Sequence, residues 1–270
     1  MIYNYYPGCT LSTKAKKLDA AARRCAEALG FPLVELPEWQ CCGAVYPMAA
    51  DAVAERLSAV RALAAARDNG GVLVTLCSAC HHVLKRVNHD MQVNAELRQR
   101  VNNYLQLDTP YGGETQVLHY LEVLRDHVGW DKLAQRVRKP LKRRLVGAYY
   151  GCMLLRPGQV MAMDDPERPT ILEQFIKALG ATPVNYAMRN ECCAGYLAVT
   201  SEAACRRMVG KIKDNAAGMG ARELITACPL CAYNLTVNGD PGSVPASYFT
   251  ELLAEALGLD EGGAADGAEG

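Results

Sequence analysis

The sequence has no surplus of charge of either sign: 29 Lys and Arg stand against 29 Asp and Glu in 270 residues. Such a chain carries no global field for nucleic acid or an anionic membrane surface, so neither is expected as a partner. It also lacks a long apolar run. A spanning helix needs roughly 18 consecutive apolar residues and none is found, although half of the chain is hydrophobic and can fill a core. The opening residues, MIYNYYPGC, lack the charged-then-apolar order of a secretory leader. Together these absences predict a cytoplasmic protein without a membrane span. Disulfides are rare in that compartment, so a disulfide scaffold is set aside and cysteines point toward metal or redox chemistry.

Cysteine is what the chain has in excess. Ten of its twelve cysteines write one pattern twice. The first copy is Cys9, then Cys41-Cys42-Gly43, then Cys77-x-x-Cys80. The second is Cys152, then Cys192-Cys193-Ala194-Gly195, then Cys228-x-x-Cys231. The gap from the first cysteine to the double cysteine is 31 residues in one copy and 39 in the other; from there to the CxxC it is 34 in both. A folded protein gathers that many thiolates at two points mainly to hold metal or metal clusters.

The cysteines sit at similar places in a strand–helix alternation. IYNYY (2–6) and RLVGAYY (144–150) read as strands leading to Gly8-Cys9 and Gly151-Cys152. A helix over about 13–29, a short strand from Leu33 to Leu36, and a helix over about 50–68 follow in the first copy. Asn69-Gly70-Gly71 stops that helix, and VLVTL (72–76) runs into Cys77. The second copy repeats this with a helix from about 201 and ELITA (223–227) running into Cys228. The offset between copies grows from 143 to 151 residues, which predicts an eight-residue insertion in the Arg156–Pro169 loop. A late helix, Val117–Val128, recurs as Tyr248–Leu257, and an insertion around 88–113 lengthens the first half. RVRKPLKRR (136–144) marks the boundary and reads as an exposed linker or a docking strip. The expected domains are 1–142 and 143–258, with 259–270 an acidic, disordered tail. The fold class is α/β with parallel strands, built twice.

The placement suits the chemistry. Cys77 and Cys80, like Cys228 and Cys231, fall at a strand end and in the first turn of the next helix. Unpaired backbone N–H groups and the positive end of a helix dipole lie there, and open α/β sheets bind ligands at the carboxyl ends of strands. The count leaves a choice open. A cubane cluster or a tetrahedral zinc needs four ligands and each copy offers five, so either one cysteine is idle or the cluster has an unusual nuclearity.

The duplicated pattern resembles the CCG, or cysteine-rich, domain proteins; residues 1–258 more closely resemble the B subunit of heterodisulfide reductase. The likeness rests on both motifs, their spacing, the YYPGC opening and the turn at Gly151-Cys152; the second motif departs from CCG as CCAG. The resemblance implies two pseudo-symmetric Rossmann-like domains, each with a small parallel sheet. It implies two noncubane [4Fe-4S] clusters, one held by Cys9, Cys41, Cys42, Cys77 and Cys80, the other by Cys152, Cys192, Cys193, Cys228 and Cys231. No flavin is expected in this chain. A disulfide, from a small-molecule thiol pair or a thiol-carrier protein, would be split between the clusters. Electrons would come from an iron–sulfur protein, the C subunit of such complexes, fed by a flavin-containing protein, their A subunit. The rival expectation is a relay subunit of a quinone- or dehydrogenase-linked complex.

The remaining candidates are weaker. His81 and His82 follow Cys80 and could donate the protons that disulfide reduction consumes; helix capping or a surface position is the plainer reading. Cys25 and Cys205 have no counterpart in the other half and read as small core residues. Lys14, Lys16, Lys17 and Arg156 follow the first cysteines and could meet an anion, or simply face solvent. Trp39, just before the double cysteine, is expected to shield a cluster.

Overall fold

A computed structural model describes residues 2–44, 50–198 and 200–259. The chain is built from two four-stranded, all-parallel sheets of matching topology. In the first half the order is β1 (Tyr3–Tyr5), α1 (Gly8–Ser12), α2 (Lys16–Leu29), β2 (Leu33–Glu35), α3 (Ala54–Asp68), β3 (Val72–Thr75), α4 (Ser78–Val93), α5 (Ala95–Leu105), β4 (Gln116–His119), α6 (Tyr120–Glu122) and α7 (Trp130–Arg136). A π-helical turn, Val123–Val128, continues α6. The second half contains β5 (Leu145–Tyr149), α8 (Gly158–Met161), α9 (Ile171–Ala178), β6 (Thr182–Val184), α10 (Glu202–Gly218), β7 (Glu223–Thr226), α11 (Pro229–Val237), β8 (Ala246–Tyr248) and α12 (Phe249–Leu257). The sheet orders are β2-β1-β3-β4 and β6-β5-β7-β8.

The local reasons repeat in both halves. β1 and β5 are central, so their inward tyrosines, Tyr3, Tyr5 and Tyr149, are fully buried. The Asn4 side chain donates to Asn69 O and Val72 O, pinning β1 to the turn that enters β3. Each last strand hands over to a helix through one reciprocal cap: the backbone N–H of His119 donates to the Glu122 carboxylate, and that of Tyr248 to Glu251.

Two strands, β4 and β8, lie at the starts of the expected late helices, Val117–Val128 and Tyr248–Leu257, where the sequence suggested no strand. Gln116–His119 and Ala246–Tyr248 are too short to show a period, and the helix caps follow at once. Each completes its sheet by pairing with the strand that leads into a CxxC: Thr75 with His119, and Thr226 with Tyr248. The long insertion at 88–113 is mostly helical, formed by the end of α4 and by α5. The helix expected from residue 50 begins at Ala54. Residues 260–270 of the expected disordered tail lie outside the described residues.

The halves interlock rather than merely touch. α12 of the second half packs on α2 of the first, and α7 of the first packs on α9 of the second. Thr250 Oγ1 donates to Leu18 O across that seam, and Tyr248, Phe249, Tyr120 and Phe31 form an aromatic chain through it. The basic run 136–144 is mostly exposed yet held. The N–H groups of Arg138 and Lys139 donate to Ala256 O, Leu141 is buried, and Arg144 pairs with Glu223 and Glu255. Among the described residues no helix is long and apolar enough to cross a membrane.

Candidate functional site

The loops after β1, β2 and β3, with their counterparts after β5, β6 and β7, bring the ten motif cysteines to the carboxyl ends of the two sheets, the double cysteines coming from the edge strands β2 and β6. Cys77 is the N-cap of α4 and Cys228 the N-cap of α11, where Pro229 occupies the first turn. The backbone N–H of each makes the same local bond, donating to the hydroxyl of Thr75 or Thr226 at 3.4 Å.

The sulfurs form one connected chain. Cys9 and Cys41 stand 3.5 Å apart, Cys42 and Cys80 3.4 Å, and Cys193 and Cys231 3.5 Å. Thiol contacts also join Cys41 to Cys42, Cys77 to Cys80, Cys152 to Cys192, Cys192 to Cys193 and Cys228 to Cys231. The two sets meet where Cys77 touches Cys228. These separations are far beyond the ~2.05 Å of a disulfide bond, and all twelve cysteines are free thiols.

Proton sharing along this chain is uneven. Hydrogen bonds with Cys41 and then Cys80 hold Cys42 down at about 3, and those with Cys152 and then Cys193 hold Cys192 at about 2. Cys228 is held well below the ordinary thiol range by the thiols of Cys231 and Cys77 and by backbone N–H groups of Cys231 and Leu230. The donors are pushed the other way: Cys77 is raised, first by its bond to Cys228, and Cys231 by its bonds to Cys193 and Cys228. Thiolates stabilised by neighbouring S–H groups are groups ready to exchange those protons for metal. Among the described residues no three His, Cys, Asp or Glu side chains close on one point in the manner of a single-ion site. The donor set is instead a pair of extended five-sulfur arrays, which fits a polynuclear, thiolate-held group.

The backbone is shaped to the sulfurs. Gly8 and Gly151 both have positive φ, +74° and +65°. A Cβ on Gly8 would lie 2.6 Å from Cys80 Sγ, and one on Gly151 3.2 Å from Cys231 Sγ. Matching tyrosines fix the loops: Tyr6 donates to Gln40 O and Tyr149 to Glu191 O, each the residue just before a double cysteine. This role is written in the two Tyr-containing openings, yet their strand character hid it. Gly8→Ala is expected to cost about 2–4 kcal/mol from left-handed backbone strain plus displacement of Cys80. Gly151→Ala is expected to cost less, because its Cβ has more room. Urea midpoints of the two variants check the order, and a Gly8→Ala midpoint equal to the parent's would refute the close-approach argument.

A cavity of about 370 Å³ opens beside the second set. All five of its cysteines line it, and Ala44 and Ser78 reach in from the first half. Ser78 also stitches the halves, its Oγ donating to Ala227 O at 2.8 Å. A larger hollow near Trp39, Arg61 and Asp108 is open and holds none of the thiols.

Other sequence candidates fall as follows. His81 is fully buried, with neither ring nitrogen in a hydrogen bond; its Nε2 is 3.2 Å from Glu122 Oε2, outside hydrogen-bond alignment. Burial holds it below the usual histidine range. His82 is nearly buried, its Nδ1 3.3 Å from Met153 O, and burial lowers it too. Neither histidine lines the cavity. Trp39 packs edge-on to Tyr6 and its Nε1 donates to Glu35, so it braces the tyrosine that holds the loop. Lys14, Lys16 and Lys17 are exposed. Arg156 is engaged, donating to Asn190 O and Glu167. Cys25 is buried in α2, where desolvation raises its thiol to about 12. Cys205 is buried too, but its thiol donates to Asn234 Oδ1 at 3.0 Å, and Asn234 Nδ2 donates to Cys193 O. Sequence reasoning missed Asn234, because a lone asparagine on a helix carries no pattern.

Comparison with known proteins agrees with this duplication. The model of the cysteine-rich domain CCG matches residues 3–85 and again 146–236. The chain is 30% identical, over 95% of its length and 92% of the relative's, to the 8-methylmenaquinol:fumarate reductase membrane anchor subunit of Wolinella succinogenes. It is 27% identical to the B subunit of the ferredoxin/F420H2-dependent CoB-CoM heterodisulfide reductase of Methanosarcina acetivorans, over 94% of this chain and 88% of that one. It is 28% identical to a protein of Archaeoglobus profundus described as like the heterodisulfide reductase B subunit, over 96% and 91%. A solved structure of a hypothetical protein from Helicobacter pylori shares the fold with a TM-score of 0.75 at 14% identity, over 96% of this chain. The chain spans about half (49%) of that protein's length.

Proposed function

We propose that this chain, which belongs to the cysteine-rich CCG domain family and carries that domain twice, is the catalytic B subunit of a heterodisulfide-reductase-like complex. In this reading each domain, 1–142 and 143–258, holds one noncubane [4Fe-4S] cluster. Cys9, Cys41, Cys42, Cys77 and Cys80 are the ligands of one; Cys152, Cys192, Cys193, Cys228 and Cys231 are those of the other. When bound, the clusters would supply single electrons to the two sulfurs of a disulfide. The balance is two electrons and two protons in, two thiols out.

The chain's own residues do the rest. Gly8 and Gly151 let the backbone approach Cys80 and Cys231, and Tyr6 and Tyr149 hold the double cysteines in place. Ser78 and Tyr248 lock the halves together at Leu76 O and Ala227 O, so the two sets keep one separation. The observation that carries the reading is the cavity at the second set, walled by all five of its cysteines, with Ala44 and Ser78 reaching in from the first half. The cluster itself would take the space among the five thiols; the opening beyond them, rimmed by Leu230, Tyr196 and Tyr233, is what a protein that only passes electrons does not need. The proposed setting is the cytoplasm, where thiols stay reduced. The proposed partners are an iron–sulfur protein and a flavoprotein, the C and A subunits of such a complex.

A second reading has one observation behind it: the relative at 30% identity is named a membrane anchor subunit of a fumarate reductase. In that case the chain would relay electrons and another protein of the complex would meet the substrate.

Metal analysis of anaerobically prepared protein is expected to give about eight irons per chain and no zinc, from two four-iron clusters. Two zincs without iron would overturn the cluster assignment. To separate enzyme from relay, thiol is added under oxidising conditions. A saturable, thiol-specific EPR change supports the disulfide reading; no change in a complex that still passes electrons supports the relay.

A further inference from the structure

We infer that the ligand at the mouth of the second-set cavity, beyond the thiols that would hold the cluster, is apolar and carries no anionic group where it meets the protein; on the disulfide reading above, on which this rests, it is a disulfide with apolar substituents. The cavity has a floor and a mouth. Cys193, Cys228 and Cys231 are buried at the floor, whereas Leu230, Tyr196 and Tyr233 are 39%, 44% and 63% exposed at the mouth. Met153, half-buried, completes the apolar wall. Exposed large apolar side chains gathered round one opening are the usual mark of a recognition site.

Among the described residues, no Lys, Arg, His, Asp or Glu lines the cavity. The polar groups that do line it are engaged elsewhere. Ser78 donates to Ala227 O, Tyr150 to Glu173, and Asn234 to Cys193 O. The Tyr196 hydroxyl reaches only the Met153 thioether, at 3.5 Å, which is a weak acceptor. A carboxylate, sulfonate or phosphate brought here would lose its water and find no cation. Such a group costs far more to bury than an apolar one. Arg156 and Arg189, each three residues from a lining residue, are both engaged, the first by Asn190 O and Glu167 and the second by Glu173 and Asn185. Tyr196 and Tyr233 instead offer ring faces, which favour an aromatic substituent.

Equilibrium dialysis of the iron-loaded full chain tests this without turnover, using dibenzyl disulfide, the dianion of 3,3′-dithiodipropionate and 1,4-naphthoquinone. Dibenzyl disulfide is expected to bind at least about thirtyfold tighter than the dianion, because a pocket without a cationic partner discriminates strongly against a buried anion. Tyr233→Arg is expected to narrow that preference at least about fivefold by giving the dianion a partner. Equal or tighter binding of the dianion overturns the apolar assignment and leaves the disulfide reading standing. Binding of naphthoquinone but of neither disulfide keeps the apolar assignment and overturns the disulfide reading. Binding of none of the three, or an unchanged preference in Tyr233→Arg, overturns the inference itself.

Discussion

Cys192→Ser combined with Cys193→Ser is expected to take disulfide reduction to background while the first centre stays visible by EPR. Both residues sit in the second five-sulfur array. Cys192 contacts Cys152 and Cys193, and Cys193 stands 3.5 Å from Cys231. Removing the pair cuts the sulfur chain between Cys152 and Cys231. The first array couples to the second through Cys77 and Cys228, which the variant keeps. Its own loops are fixed by Tyr6, Trp39 and Thr75, all in the first half. The first centre therefore has what it needs to survive. Turnover does not, for a chemical reason. One electron into a disulfide leaves a thiolate and a thiyl radical, so a single intact half has no productive half-reaction. Residual turnover near half of the parent's would show that the two arrays act independently, against the proposed pairing.

The parts of this arrangement that were readable in sequence are the ones written twice. The strand before each first cysteine, the strand running into each CxxC and the long helix before that strand repeat, and repetition made short elements legible; α9 and β6 of the second half, shorter than α2 and set after the insertion, were not read. β4 and β8 were not legible. Each is only four or three residues long, and each ends in a helix cap, so the helical signal covered the strand. Their partners were nevertheless implied, because β3 and β7 are buried on both faces and need neighbours on both sides. The reciprocal packing of α12 on α2 and α7 on α9 has no local signature at all. It follows from two apolar helix stripes that find each other only once both sheets exist. The same holds for the cavity. Its cysteines were legible by spacing, whereas Tyr196, Leu230, Tyr233 and Asn234 have no counterpart that repeats. His81 and His82 illustrate the converse: adjacency to Cys80 suggested proximity to substrate, but the helical rotation after Cys80 turns His81 into the core and His82 toward Met153.

Asn234→Val is expected to destabilise the protein by about 2–4 kcal/mol, since it leaves several buried polar groups without partners, and to lose or remodel the second centre alone. The site it disturbs has no equivalent in the first half, where the matching residue is Val83, itself buried. Asn234 is 1% exposed and serves three partners. Its Nδ2 donates to Cys193 O; its Oδ1 accepts from the Cys205 thiol at 3.0 Å and from Asn238 Nδ2 at 2.6 Å. The bond to Cys193 O fixes the peptide of a sulfur-bearing residue, so the loss reaches the array as well as the fold. Cys205→Ala is the informative control. It removes one weak donor and leaves a small void, at a cost of about 1 kcal/mol, and Asn234 keeps its bond to Cys193 O. Urea midpoints and iron content of the two variants decide the matter. Asn234→Val should keep about four irons, by loss of one four-iron cluster, with the first centre's EPR features unchanged, and Cys205→Ala should keep all. Loss of iron in Cys205→Ala would instead place Cys205 among the ligands and break the five-and-five division. A full complement of iron with unaltered spectra in Asn234→Val would show that the Cys193 peptide holds its place without the amide, leaving the Tyr149 bond to Glu191 O as the support of that loop.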